Sequence, residues 1–164
     1  MMAPEQDEAC SSCSFVVDHV PDLSHLRHRN TSFVAVSRAP LAKIEAFKKR
    51  MGWTFPWVSS FGSDFNYDFH VTLDENVAPV EYNYKDKETL VKEGKTYATK
   101  GEQPGLSIFY REDKDVFHTY SSYARGVEVL LGTYRLLDLT PLGRQENSPG
   151  TKMDFRHHDK YDEK

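Results

Sequence analysis

Glu8-Ala9-Cys10-Ser11-Ser12-Cys13-Ser14-Phe15-Val16-Val17 holds both cysteines of the chain, three positions apart, at the start of a run with helical spacing. Phe15, Val16, His19 and Val20 repeat at the helix period; Pro21 breaks the run, and Leu23 and Leu26 resume it. A disulfide between residues this close would close almost no loop, so as a structural staple it would add little. The opening Met-Met-Ala-Pro-Glu-Gln-Asp-Glu has no basic segment followed by an apolar run, so no secretory signal is read and a reducing, cytoplasmic setting is expected. In that setting a C-x-x-C is a redox dithiol, half of a metal site, or incidental.

Outward from the cysteines, Thr31-Ser32-Phe33-Val34-Ala35-Val36-Ser37 is β-branched and apolar at its centre, the pattern of a buried parallel strand. Pro40 then opens a helix with Leu41, Ile44, Phe47 and Met51 on one stripe, Lys48-Lys49-Arg50 in its last turn and Gly52 just beyond. Trp53 to Val58 reads as a short extended segment, and Phe61 to Asp68 as a loop or single helical turn. Residues 74–105 are polar and charge-mixed, an inserted arm with too few apolar residues for a core. Leu106–Tyr110 and Val116–Tyr120 alternate as two strands around the charged turn Arg111 to Asp115. Val127, Leu130, Leu131, Tyr134 and Leu137 then predict one amphipathic helix. Residues 1–141 therefore read as one domain and 142–164 as a polar tail, with His157-His158 exposed on it. A C-x-x-C at a helix start, then strand, helix, strand, hairpin and helix, is the plan of a thioredoxin-like α/β fold, a central mixed sheet flanked by helices.

Composition narrows the function classes. The chain has 164 residues, 21 Lys+Arg against 25 Asp+Glu, 38% hydrophobic and 13% aromatic residues, which suits one domain with a core. A net charge of −4 with mixed signs argues against a nucleic-acid partner. No apolar run reaches the ~18–20 residues of a membrane span.

The spacing has a chemical logic. A thiol has a pKa near ~8.5 and only the thiolate attacks a disulfide. A helix start sets the Cys10 sulfur against unpaired backbone N–H groups, and Cys13, one turn further in, shares its face. Cys10 is thus the candidate nucleophile and Cys13 the thiol that resolves a mixed disulfide.

Glu8 to Phe15, Phe33 to Pro40, Gly52 to Ser60, Phe61 to Asp68, Pro104 to Tyr110, Val116 to Ser121 and Leu137 to Pro141 closely resemble a thioredoxin-like family catalogued as a domain of unknown function, number 899. The resemblance covers roughly residues 3–161, and the family's label is predicted dithiol–disulfide oxidoreductase, a label that rests on fold and C-x-x-C. It implies a cis-proline beside the dithiol, for which Pro104 holds the matching position as a substrate-binding residue and Pro56 is a second candidate. It also implies a central strand running into the C-x-x-C. Only nine residues precede Cys10 here, and Pro4 to Glu8 cannot be written as a strand. The expectation is a chain that is a fragment or mis-started, or one that takes this strand from another chain. Phe33–Ser37 and Leu106–Tyr110 would then flank a gap, with lower stability or homo-oligomers formed through the unpaired sheet edge.

The remaining candidates divide between chemistry and surface. Arg38, after the Phe33–Ser37 strand, could bind a substrate carboxylate or stabilise a thiolate, against the plainer reading of a surface arginine; Arg125 has the same standing. Cys10-x2-Cys13-x11-His25-x2-His28 approaches a zinc pattern but misses both intervals, and His25 and His28 read as a solvated helix end. His118 reads as a packed or half-exposed strand residue, and Trp53, Phe55, Trp57, Phe61, Phe65 and Tyr67 could line a substrate groove, though core packing explains most of them. The expected function is a thiol–disulfide oxidoreductase that needs no cofactor, acting on a disulfide-containing protein or small thiol with an unidentified electron donor. One alternative is a peroxiredoxin-like peroxidase, disfavoured because position 7, where Thr or Ser is wanted, is Asp. The other is a non-catalytic scaffold or zinc-binding module.

Overall fold

The structure, a computed structural model, describes residues 1–146 and 155–161. It is a mixed α/β arrangement of short helices and two-stranded sheets, with no barrel. Helices α1 (Ser11–Val17) and α2 (Leu23–Arg27) are separated around Pro21, as the proline requires. Asp22 caps α2 by accepting from the Ser24 N–H at 2.8 Å.

Strand β1 (Ala35–Ser37) pairs in parallel with β2 (Trp57–Ser59), and helix α3 (Leu41–Arg50) connects them. The stripe on α3 drives this unit together: Ile44, Phe47 and Met51 are buried against Phe55 and Trp57, each large side chain contributing about 1.5–3 kcal/mol. Leu41, counted on the stripe from its spacing, stands outside it and is 54% exposed. Gly52, at φ +65°, ends α3 in the left-handed region where glycine carries no Cβ penalty. The β1 run is less covered than its apolar centre predicts, Val34 being half exposed, because among the described residues only β2 lies beside it as a strand.

Helix α4 (Phe65–Asp68) is a single turn. The polar stretch that follows is more ordered than an arm. Strand β3 (Thr72–Leu73) pairs with β6 (Gly101–Glu102), β4 (Glu81–Tyr82) with β5 (Lys85–Asp86), and α5 (Lys87–Lys92) packs over them. Val80, Leu90 and Ala98 form a small buried cluster of their own, so few apolar residues suffice where the elements are this short.

Strands β7 (Gly105–Glu112) and β8 (Asp115–Tyr123) form the expected hairpin, longer than its apolar alternation suggests and closed at Asp113, which adopts φ +50°. Many of its apolar side chains remain exposed, Tyr110 and Val116 among them. The single helix expected over 127–137 is instead a 3-10 helix (Ala124–Leu130) and α6 (Gly132–Leu137), broken at Leu131. Gly132 disfavours helix continuation, and the His19 ring, just after α1, takes the Thr133 N–H at 3.1 Å, which starts α6 afresh.

The expected central sheet is present as separate pairs, with no ladder joining β1–β2 to β7–β8 among the described residues. Residues 1–9 contain no strand. They run instead beside the end of β1, where Met2 is fully buried and its carbonyl accepts from the Ala39 N–H at 2.9 Å. Among the described residues no helix is long and apolar enough to cross a membrane.

Candidate active site

Cys10 is the residue that caps α1, at φ −57° and ψ 130°, with its carbonyl already accepting the first helical hydrogen bond from the Ser14 N–H at 2.9 Å. The Ser14 hydroxyl donates to the same carbonyl at 3.0 Å. No side chain caps the helix, so the first N–H groups are left to the cysteine sulfur. Both cysteines are free thiols and both are half-buried.

Their acidities separate. The Cys13 thiol donates to the Cys10 sulfur, and the backbone N–H groups of Cys13 and Ser12 add to it; against the opposing cost of burial these bring the Cys10 pKa down to about 5. Donating to that sulfur, and burial besides, push the Cys13 thiol well above its ordinary value. At neutral pH one sulfur is therefore a thiolate and the other keeps its proton.

The other expected site residues have surroundings of their own. Arg38 donates to Glu102 at 3.0 Å and lies over the Tyr67 ring at 5.0 Å. Glu102 also accepts from Asn66 Nδ2 at 2.9 Å and Thr72 Oγ1 at 2.7 Å, so Arg38 belongs to a structural network at the end of β1. The Gln103–Pro104 bond is trans, as is that before Pro56, so neither candidate supplies the cis-proline that the resemblance implies and the plainer reading of a trans proline closing a loop applies. The neighbouring Gln103 explains how this loop is held without it: its N–H donates to the Val71 carbonyl at 2.8 Å and its side-chain amide to the Tyr97 carbonyl at 3.0 Å. His25 and His28 are exposed, and no group of three or more His, Cys, Asp or Glu among the described residues is placed to hold a metal. His118 is exposed on β8, its Nε2 within 2.7 Å of the Ser121 hydroxyl.

A family described as bacterial protein of unknown function, DUF899, matches residues 1–161. The chain belongs to the DUF899 family. Comparison with curated proteins and with solved structures finds no match.

The DUF899 match runs to residue 161, and the described C-terminal residues 155–161 lie against α1. Phe155 stacks on Phe15 at 4.3 Å, and His158 Nδ1 meets Asp18 Oδ1 at 2.8 Å. His157, expected on an exposed tail, is 6% exposed, edge-on to Phe47 and within 2.8 Å of the Ala9 carbonyl. Asp159 binds Arg50 through two oxygens at 2.8 and 3.1 Å, and Lys160 reaches Glu8 at 3.0 Å. Nothing in the His157-His158 pair itself signals this burial. The one local hint is Phe155, a large apolar residue in an otherwise polar segment.

Proposed function

We propose that this DUF899 protein is a thiol–disulfide oxidoreductase on a thioredoxin-like fold. The observation that carries the reading is the placement of two free thiols at the start of α1, Cys10 as the capping residue and Cys13 one turn in, an arrangement that draws the Cys10 pKa down to about 5 and pushes the Cys13 thiol up. The order of elements supports the fold: α1 with the C-x-x-C, parallel β1–α3–β2, then the β7–β8 hairpin and α6.

The Cys10 thiolate attacks one sulfur of a substrate disulfide, forming a Cys10–substrate disulfide and expelling the other substrate sulfur as thiolate. Cys13 then gives up its proton and attacks the Cys10 sulfur. The Cys10–Cys13 disulfide forms, the second substrate thiolate leaves, and two electrons have passed from protein to substrate. A dithiol donor, or a small thiol such as glutathione, returns the protein to its reduced form by the same exchange in reverse. Stabilising the Cys10 thiolate stabilises the reduced protein, which makes its disulfide the more oxidising one. The substrate class is thus an accessible protein disulfide or a small disulfide. A peroxidatic thiol needs a cation beside the sulfur, and Arg38 is held by Glu102 and Tyr67 instead.

Insulin reduction driven by dithiothreitol tests the reading. The wild-type protein accelerates it and Cys10→Ser abolishes the acceleration, while reduced Cys13→Ser, mixed with insulin after the dithiothreitol is removed, accumulates a trapped mixed disulfide visible by mass. An equal rate with wild type and Cys10→Ser would remove the proposal.

A further inference from the structure

The peptide unit between Ala9 and Cys10 is gripped at both of its polar ends. Its N–H donates to the Met1 carbonyl at 2.9 Å, and its carbonyl lies 2.8 Å from His157 Nε2. The second ring nitrogen of His157, Nδ1, lies 3.0 Å from Arg50 Nη2. A guanidinium can only donate, so Nδ1 accepts and the ring proton sits on Nε2, which donates to the Ala9 carbonyl. His157 is therefore held in one tautomer, aimed at the residue before the nucleophile.

Arg50 is itself fixed, paired with Asp159 and Glu8 and lying over the Phe47 ring at 4.9 Å. The groups facing His157 are thus Arg50 from the end of α3, Glu8 from the segment before α1, with its carboxylate 3.7 Å from Nδ1, and Phe47, whose ring meets the imidazole at 71° with centroids 5.2 Å apart. A buried, fully partnered histidine so far along the chain from the dithiol has no part in the exchange chemistry above. Its contact is with the peptide that sets the Cys10 backbone angles.

We infer that His157 is a positioning residue for Cys10: by holding the Ala9 carbonyl it keeps the Cys10 sulfur against the N–H groups of Ser12 and Cys13, so that residues 155–161 complete the dithiol site. This rests on the dithiol reading and deepens it. Removing the Nε2 donor frees one end of the Ala9–Cys10 peptide. The peptide then turns toward water to satisfy its carbonyl, and the sulfur drifts from the helix N–H groups that favour its charge. The thiolate is lost while the cysteines, the helix and the disulfide they form all remain.

The test is the pH dependence of Cys10 alkylation by iodoacetamide, in the full chain under reducing conditions, for wild type, His157→Ala and His157→Gln. Glutamine carries its amide nitrogen close to where Nε2 sits and keeps a donor for the Ala9 carbonyl. In His157→Ala the alkylation midpoint moves up, and the rate at pH 6 falls about twofold for a rise of one pKa unit and about tenfold for a rise of two, because the wild-type thiol is already mostly thiolate at that pH. His157→Gln recovers most of the wild-type profile, a rescue that a general loss of packing would not show. Should His157→Ala fail to fold, His157→Asn, whose shorter side chain draws the donor away from Ala9, carries the same comparison. A folded alanine or asparagine variant with an unchanged midpoint overturns the positioning role and leaves the dithiol reading intact. A wild-type midpoint at the ordinary thiol value overturns both.

Discussion

At the scale of single residues, the proposed chemistry rests on one thiol. Cys10 is an acid whose pKa in the folded chain, about 5, lies below the ordinary value of 9.0. The reduced protein accordingly gains stability from Cys10 as the pH rises above about 5, holds the full gain near 9, and loses it as the pH falls back through 5. Cys13, shifted upward, works against this only where an unfolded thiol would ionise, near pH 9 and above. The expected result is that reduced wild type exceeds Cys10→Ser in unfolding free energy by more at pH 8 than at pH 4.5, measured by urea denaturation with reductant present. An equal difference at both pH values would show that the folded thiol is ordinary. The sequence made this residue legible because helix spacing and a C-x-x-C are local. It left Arg38 ambiguous, since an arginine after a strand has the same signature whether it meets a substrate or, as here, Glu102.

At the scale of elements, local patterns held where one element carried its own punctuation. Helix α3, with Pro40 before it, cations in its last turn and Gly52 after it, lies where its spacing predicts, and the β7–β8 alternation was equally readable. The 127–137 stretch was misread as one helix because its apolar spacing is continuous across Leu131, while the break comes from His19, more than a hundred residues away. A second element-scale constraint sits at the start of β7. A Cβ on Gly105 would stand 2.5 Å from Val71 Cγ1 and 3.3 Å from the Tyr123 ring. Its φ is one that any residue adopts, so the cost of Gly105→Ala is overlap alone, about 1–3 kcal/mol. Thermal or urea unfolding should show that loss, and Val71→Ala in the same chain should recover part of it. An unshifted midpoint in Gly105→Ala would mean that Val71 moves aside freely.

At the scale of the whole molecule, the pieces are small and are joined by polar contacts as much as by apolar ones. Glu102, its side chain 8% exposed, links β6 to Arg38 after β1, to Asn66 in α4 and to Thr72 in β3. Glu102→Ala would leave three buried or half-buried donors without their acceptor, at a cost of about 3 kcal/mol. Equilibrium urea unfolding checks it, and a change below the error of the extrapolation would show that water replaces the carboxylate. Among the described residues β1 and β7 each have a strand along one edge only.

The sequence by itself determined the dithiol, its position at a helix start, the β1–α3–β2 unit and the hairpin, because each depends on residues within a few turns of one another. Only the tertiary structure decided that the expected sheet stands as separate pairs, that Arg38 is occupied, that Gln103–Pro104 is trans, and that His157 is buried on the Ala9 carbonyl. The physical reason is the same in each case. Burial and hydrogen-bond partnership belong to pairs of surfaces, and here the partners lie 64 residues apart for Arg38 and Glu102, and 148 apart for Ala9 and His157, where no period in the chain can register them.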